Sequence, residues 1–388
     1  MKLELLYRRE NFNAIFLKTF KHYALIKFKS EVHISNKRKY KDSNIFLLNK
    51  KINIIYPSNV LPRDLRLLVK EFYYNKNPFK RLMQLIYITL AISKLFRWLF
   101  HDERFYMAPE NCNLNQICII PGNHSLRFID LKNNTCTVLI KSGFNKRFIN
   151  NEIAVRSLGI DIRAPEIINF SISEGWYEEK RIIATPINRY GSTKKQKDSI
   201  CLVFKTLKSL YENSKSEVSL DCYLNELQNK FASLLSKLSP IYSNFDKKNI
   251  HETFSQLISK IENKHAQKIS LVQSHGDLQA SNILLGDGNE VYLIDWEYSD
   301  QRSIFYDNYV FFLNTRSPKN LSRRIQRFLN KKFNPDEFFF EKRTSKRDLV
   351  LFLLEELILR LEEVQIPEIL KKDQGMKIFL EELNKISL

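Results

Sequence analysis

The chain has 388 residues, 44% of them hydrophobic, enough to bury a substantial core and, by length, to form two or three domains or one bilobal unit. Its formal net charge of +19 disfavours polycationic ligands and favours anionic partners. Five cysteines, Cys112, Cys118, Cys136, Cys201 and Cys222, are an odd number with no CxxC spacing, which supports neither a disulfide framework nor a zinc site and leaves a reducing, cytoplasmic address as the expectation.

At the N-terminus, MKLELLYRRENFNAIFLKTF mixes charges with apolar residues and has no small-residue cleavage site. No secretory signal is expected, and the mature chain is expected to begin at Met1. Residues 1–100 hold 21 Lys plus Arg against six Asp plus Glu, so most of the positive excess belongs to the first quarter. Either these cations solvate an ordinary domain, or the region meets a partner with phosphates: an anionic membrane, a lipid-linked sugar or a nucleic acid. Its longest apolar run, LMQLIYITLAISKLFRWLF (82–100), contains Lys94 and Arg97; it is barely long enough for a transmembrane span and its two cations make one unexpected. At 100° per residue Thr89, Ser93, Lys94 and Arg97 share one arc. The first expectation is a core helix of an N-terminal module, the second an interfacial amphipathic helix.

From about Asn111 the character changes. NQICIIPGNHSLRFIDLKNNTCTVLIK predicts two or three antiparallel strands, with turns at Pro121-Gly122-Asn123 and Asn133-Asn134. FINNEIAVRSLG suits a short helix, and RAPEIINF and WYEEKRIIATPI suit strands, so a small antiparallel sheet with one helix is expected over about 114–185. Helical spacing then dominates, over 194–214, 218–237, 249–265, 306–332, 346–364 and 375–386.

The stretch SHGDLQASNILLGDGNEVYLID (274–295) interrupts these helices. Its end reads as a hairpin turning at Asp287-Gly288, with Asn282 and Asp295 at the first and last positions, so that strand pairing brings both to the same end. An amide oxygen and a carboxylate are hard ligands suited to Mg²⁺, which takes further oxygens from a nucleotide's phosphates. Asp277, beside them, can orient a hydroxyl and accept its proton during phosphoryl transfer. His275 suits a packing role that shapes the loop, and Gly276 lets the backbone turn.

HGDLQASN followed by YLIDWEYSD resembles the catalytic loop and metal-binding segment of the aminoglycoside phosphotransferase and choline kinase superfamily, which shares the protein-kinase fold. The resemblance spans about 114–315. It implies an α+β, bilobal, protein-kinase-like fold: a small antiparallel β lobe (113–187), a mainly helical lobe (188–388) and, before them, a basic N-terminal extension domain (1–112). It implies an ATP-dependent phosphotransferase with an alcohol group as acceptor, ATP as donor and Mg²⁺ as cofactor. Lys141, ending TCTVLIK, is similar to the phosphate-binding lysine, and Glu152 resembles its helical ion-pair partner. Gly122 and Asn123 of PGNHSLRF take the place of the nucleotide-covering loop. Glu179, Lys180 and Arg181 resemble the hinge whose backbone meets the adenine, and Asp307 resembles the aspartate that braces the catalytic loop. Trp296-Glu297 follows Asp295 where protein kinases have Phe-Gly, which disfavours a protein substrate.

The layout, a basic module before a kinase lobe, is similar to that of kinases of bacterial surface-polysaccharide biosynthesis, so a sugar or lipid-linked saccharide is the first expectation for the acceptor. Choline or ethanolamine is an alternative, with Trp296, Tyr298 and Tyr306 around a quaternary ammonium, as is an aminoglycoside. A pseudokinase or binding scaffold is the alternative of another class. The expected partners are this small-molecule or saccharide acceptor and, peripherally, an anionic membrane at its inner face; no nucleic acid is expected, and the oligomeric state stays open.

Overall fold

The computed structural model describes residues 3–386 apart from 36, 39–42, 76, 110–113, 190–191, 262–266, 331–344 and 367–368. Its elements begin with α1 (Leu3–Arg9), α2 (Phe12–Phe28), β1 (Val32–Ser35), β2 (Asn44–Asn49), β3 (Ile54–Pro57), α3 (Pro62–Leu68), α4 (Pro78–Ile92) and β4 (Glu103–Pro109). There follow β5 (Ile117–Pro121), β6 (Ser125–Asp130), β7 (Thr135–Ile140), α5 (Arg147–Arg156), β8 (Ile167–Ser171), β9 (Trp176–Lys180) and β10 (Ala184–Pro186). The remainder is α6 (Thr193–Ser214), β11 (Ser216–Ser219), α7 (Leu220–Ser236), α8 (Asn244–Ser259), β12 (Lys268–Ser274), β13 (Ile283–Gly286), β14 (Val291–Leu293), β15 (Asp300–Ser303), α9 (Tyr306–Leu313), α10 (Leu321–Leu329), α11 (Lys346–Glu363) and α12 (Gln374–Leu383).

Two compact units result: Met1–Arg156 with Arg163–Ser199 and Ile283–Ile294, and Ser157–Ile162 with Ile200–Asn282 and Asp295–Leu388. The first carries a nine-stranded sheet in the order β1-β4-β2-β3-β5-β6-β7-β9-β8, the second most of the helices. This is the expected α+β division. The turns read from sequence close their hairpins, with Pro121 opposite Leu126 and Asp130 opposite Thr135, and Asn134 takes the left-handed conformation that such a turn needs. Strand β4 lies between β1 and β2, pairing with both.

The boundary expected at 112/113 falls within this one sheet, because β3 pairs with β5 through Ile55 and Ile119. Helix α2 seals the sheet's face. Phe12, Phe16, Phe20, Tyr23 and Ala24 recur every three or four residues and are buried. Tyr23 stacks on Phe128 with ring centroids 3.8 Å apart, and Phe20 meets Phe46 edge-on. Each such ring contributes about 1.5–3 kcal/mol by leaving water, so the N-terminal helix is part of the core of the strands that follow.

In the second unit α11 is the central helix. Ser345 and Asp348 close its N-terminus as a capping box, and every residue from Asp348 to Glu362 is buried. Its acids are correspondingly satisfied: Glu355 accepts from Tyr223 Oη at 2.7 Å and from the Ser303 N–H and hydroxyl at 2.7 and 2.6 Å. The described cysteines Cys118, Cys136, Cys201 and Cys222 are free; Cys112 lies outside the described residues.

Several helices differ from expectation for local reasons. The helix expected from 218 starts at Leu220 because 216–219 forms β11. The one expected from 249 starts at Asn244, behind a Ser243–Asp246 capping box. The run 306–332 is broken, since Asn314 turns left-handed after α9 and Pro318 follows four residues later. The run 82–100, expected first as a core helix, leaves the helix at Ile92. Arg97 is fully buried and donates to the carbonyls of Ile92 (2.8 Å), Ser93 (3.1 Å), Ser58 (2.8 Å) and Val60 (2.9 Å). It thereby satisfies end-of-helix acceptors that a longer helix would have used itself. No helix among the described residues is long and apolar enough to cross a membrane.

Candidate active site

In the second unit the chain leaves β12 at Ser274 and enters the His-Gly-Asp loop. Asp307, near the N-terminus of α9, is fully buried and accepts the N–H of His275 (2.6 Å), the N–H of Gly276 (2.9 Å) and the hydroxyl of Tyr211 (2.6 Å). A buried carboxylate with three donors fixes the loop's backbone from beneath. Gly276 has φ +83°, and a Cβ there would lie 2.1 Å from the carbonyl oxygen of Tyr298, so only glycine fits. His275 is buried against Trp296, ring centroids 4.5 Å apart, and its Nδ1 accepts the Asp277 N–H at 3.2 Å. It packs and shapes the turn.

The loop presents Asp277 with its carboxylate held on several sides. Arg316 Nε donates to Oδ1 at 2.5 Å, Gln279 Nε2 reaches both oxygens at 2.8 and 2.9 Å, and Asn282 Nδ2 donates to Oδ2 at 3.0 Å. Arg316 also donates to the Gly276 carbonyl (2.6 Å) and to Glu356 on α11 (3.1 Å). Burial would lower the Arg316 guanidinium, but Glu356 and Asp277 outweigh it and hold it well above its ordinary value. A chain Glu356–Arg316–Asp277 therefore ties the loop to the central helix. In the sequence Arg316 is a lone arginine in NTRSPKN and carries no spacing signal.

Asn282 is oriented by the same loop. Its Nδ2 donates to the Asp277 carbonyl at 2.9 Å as well as to Oδ2, which turns Oδ1 away from Asp277; among the described residues Oδ1 meets the Ser281 hydroxyl, at 3.4 Å. The ladder beyond pairs Ile283 with Leu293, so Asn282 and Asp295 follow the same end of one hairpin, whose turn runs through left-handed Asn289. Asp295 itself has φ +72°, a costly conformation for a non-glycine residue that re-aims its side chain as the strand ends. An amide oxygen left available and a carboxylate form a donor set that fits Mg²⁺ sharing a nucleotide's oxygens. Among the described residues no group of three or more His, Cys, Asp or Glu side chains is placed to hold a metal alone.

The first unit holds the residues expected at the nucleotide. Lys141 is fully buried, and its Nζ donates to Glu10 Oε1 at 2.7 Å and to the Asn123 carbonyl at 3.0 Å. Arg9 donates to that carbonyl at 3.0 Å and to the Asn123 side-chain oxygen, and it pairs with Glu10. Thus Arg9, the last residue of α1, holds the loop carrying Gly122 and Asn123, and Glu10, directly after it, holds the lysine. The Gly122 N–H closes its own turn on Ser125 O at 2.9 Å. Glu152 pairs with Arg156 at 3.2 Å, and Arg156 reaches Glu179 at 2.9 Å. The N–H groups of Lys180 and Arg181 donate to Glu166 O and Asn134 O at 2.9 and 3.1 Å, because β9 is an interior strand. The strand beside the hairpin is instead β10, with Thr185 opposite Leu285.

Trp296, Tyr298 and Tyr306 are all buried, and Tyr306 donates to Glu356 at 2.8 Å. Their rings are core, which removes the aromatic-cage argument for a quaternary ammonium at these three positions.

An aspartate on a braced loop, with an asparagine five residues later and a second aspartate past the next hairpin, is the order of a phosphotransferase catalytic segment. Residues 171–320 match the family model for choline/ethanolamine kinase, which bears out the superfamily resemblance drawn from the motif and, with it, the class of small-molecule phosphotransferases. Among curated protein sequences nothing matches the chain. Similar solved structures include the choline kinase LicA of Streptococcus pneumoniae (16% identity over 71% of this chain and 90% of that one, TM-score 0.44). Others are an ethanolamine kinase of Plasmodium vivax (16%, 84% and 94%, 0.46) and an aminoglycoside phosphotransferase of Streptomyces rimosus (14%, 60% and 90%, 0.41).

Proposed function

We propose that the chain transfers the γ-phosphoryl group of ATP to a hydroxyl of a small molecule or saccharide, working at an anionic membrane surface. The observation that carries this reading is the Asp277 loop, braced by Asp307 and Arg316 with Asn282 turned so that its oxygen is left available. Asp277 would orient the acceptor hydroxyl. The acceptor oxygen bonds to the γ-phosphorus, the bond from that phosphorus to the β–γ bridging oxygen breaks, ADP leaves, and the hydroxyl proton passes to Asp277. Arg316, gripping one carboxylate oxygen, keeps the carboxylate from rotating. Asn282 and Asp295 would hold Mg²⁺, whose charge neutralises the phosphate oxygens when it is bound. Lys141 would meet phosphate, and its ammonium is already positioned by Glu10 and the Asn123 carbonyl. With the N–H groups of Lys180 and Arg181 taken by the sheet, we place the adenine contact nearer β10.

For the acceptor, the buried aromatics leave a saccharide, free or lipid-linked, as the preferred class; choline or ethanolamine is the second reading, favoured by the family match over 171–320. A transfer assay with γ-labelled ATP tests both, against sugars, a lipopolysaccharide extract, choline, ethanolamine and aminoglycosides. Mg²⁺-dependent label on one acceptor class, abolished by Asp295→Asn, is the expected result. Nucleotide binding without transfer to any acceptor would turn the reading to a pseudokinase scaffold.

A further inference from the structure

Helix α4 shows an unusual distribution. Asn77 and Pro78 start it, the Asn77 side chain accepting the Lys80 N–H, and Ile88, Ala91 and Ile92 bury one side of it. On the opposite side Phe79, Leu82, Met83 and Ile86, spaced three and four apart, are between 47% and 70% exposed. They fall within an arc of about 100°. In the turns that follow, Leu95 and Leu99 are 83% and 77% exposed. Large apolar side chains grouped in this way on a soluble surface mark a contact site.

The charges around this face indicate what it contacts. From Phe72 to His101 the sequence has five Lys or Arg residues and no acid. Of these, Lys80, Arg81 and Lys94 are exposed, while Arg97 is buried in its carbonyl cage. An apolar stripe on a helix that carries cations and no acid of its own complements a bilayer whose headgroups are anionic and whose acyl region lies just below. A protein partner would more usually meet a face from which lysine is depleted.

We propose that the exposed α4 face, Phe79, Leu82, Met83 and Ile86, together with the exposed Lys80, Arg81 and Lys94 of the same segment, docks the protein on an anionic lipid bilayer. The inference deepens the membrane part of the proposed function and is independent of which acceptor is phosphorylated. Docking requires no new fold, since the stripe already faces water and the helix is capped at both ends, by Asn77 and by Arg97.

The test uses the full chain with vesicles of phosphatidylcholine alone or with added phosphatidylglycerol. The wild type should sediment with the anionic vesicles at low salt and be released as salt rises. The Leu82→Glu/Ile86→Glu variant should bind about tenfold or more weaker, from lost apolar insertion and added repulsion. Lys80→Gln/Arg81→Gln should weaken binding by about fivefold per charge on anionic vesicles only. Both leucine and isoleucine side chains are about half exposed, so the thermal midpoint and phosphate transfer to a soluble acceptor should be unchanged. Absence of wild-type binding, or equal binding by the Leu82→Glu/Ile86→Glu variant, overturns the proposal. So does a wild-type dimer in solution that this variant converts to monomer, which would assign the face to a second copy of the chain. Loss of transfer in every protein tested would instead defeat the phosphotransferase reading and leave the vesicle result standing.

Discussion

Asp277 stands apart from the other acids of its unit in what its replacement should do. Asp277→Asn keeps the shape and, with its one oxygen towards Arg316 and Gln279, the bonds accepted there, loses those accepted by the second oxygen, and cannot take a proton. Turnover should fall by roughly 10²–10⁴ with nucleotide affinity retained, which kcat and an ATP titration would separate; an equal loss of affinity would make the residue structural. Glu10 and Lys141 form a different kind of pair, both fully buried. Glu10→Gln weakens the bonds of both Lys141 and Arg9 and should lower stability in a urea titration, since breaking a buried ion pair costs about 3–5 kcal/mol. Lys141→Met should lose nucleotide binding, read by an ATP titration. Retained ATP affinity in that variant would deny Lys141 its phosphate role. At Gly276, alanine combines a left-handed φ with a clash against a backbone carbonyl, and Gly276→Ala should lower stability and displace the Asp277 loop together.

At the scale of elements, α10 and α12 are joined by an acid acting outside its own helix. Glu382 of α12 accepts the Ser322 N–H and hydroxyl at the N-terminus of α10 (3.0 and 2.7 Å) and pairs with Lys385 at 2.8 Å. It supplies the cap that the N-cap residue Asn320 does not. Burial opposes its ionisation, but the bonds from Lys385 and Ser322 outweigh this and pull it down to about 2. An acid depressed by folding stabilises above its unfolded value, about 4.3, and that stabilisation is lost as pH falls towards the folded one. Glu382→Gln should therefore be less stable than wild type at pH 7, with the gap in urea midpoints narrowing from pH 5 to pH 3. A gap independent of pH would sink the capping assignment. Such contacts also show what is legible in a linear sequence. The β5–β7 turns, the His-Gly-Asp loop and the β13–β14 hairpin are set by residues within a few positions of one another, and all were readable. Glu10, 131 positions from Lys141, and Arg316, 39 from Asp277, have no spacing signature because tertiary packing alone brings them together. The bonds that the Lys180 and Arg181 N–H groups make with Glu166 O and Asn134 O are illegible for a related reason: the neighbours of a strand are contributed from elsewhere.

For the whole molecule, the single sheet decides what can be removed. A chain beginning at residue 113 would keep every motif residue of the kinase resemblance, yet it would expose the β5 edge that Ile55 covers and the face that Phe12, Phe16, Phe20 and Tyr23 seal. Unpaired edges with bare apolar faces aggregate. The shortened chain should be insoluble or oligomeric by light scattering; a monomeric, nucleotide-binding product would mean that the first quarter is dispensable after all. The order of strands has a consequence for biogenesis as well. Because β4 lies between β1 and β2, the two earlier strands have no common neighbour until residues 103–109 arrive. On the ribosome, where the N-terminus emerges first, β1 must wait beside an empty lane while some seventy residues are still being made, and the nascent chain can complete its first sheet only by threading a late strand into an early gap.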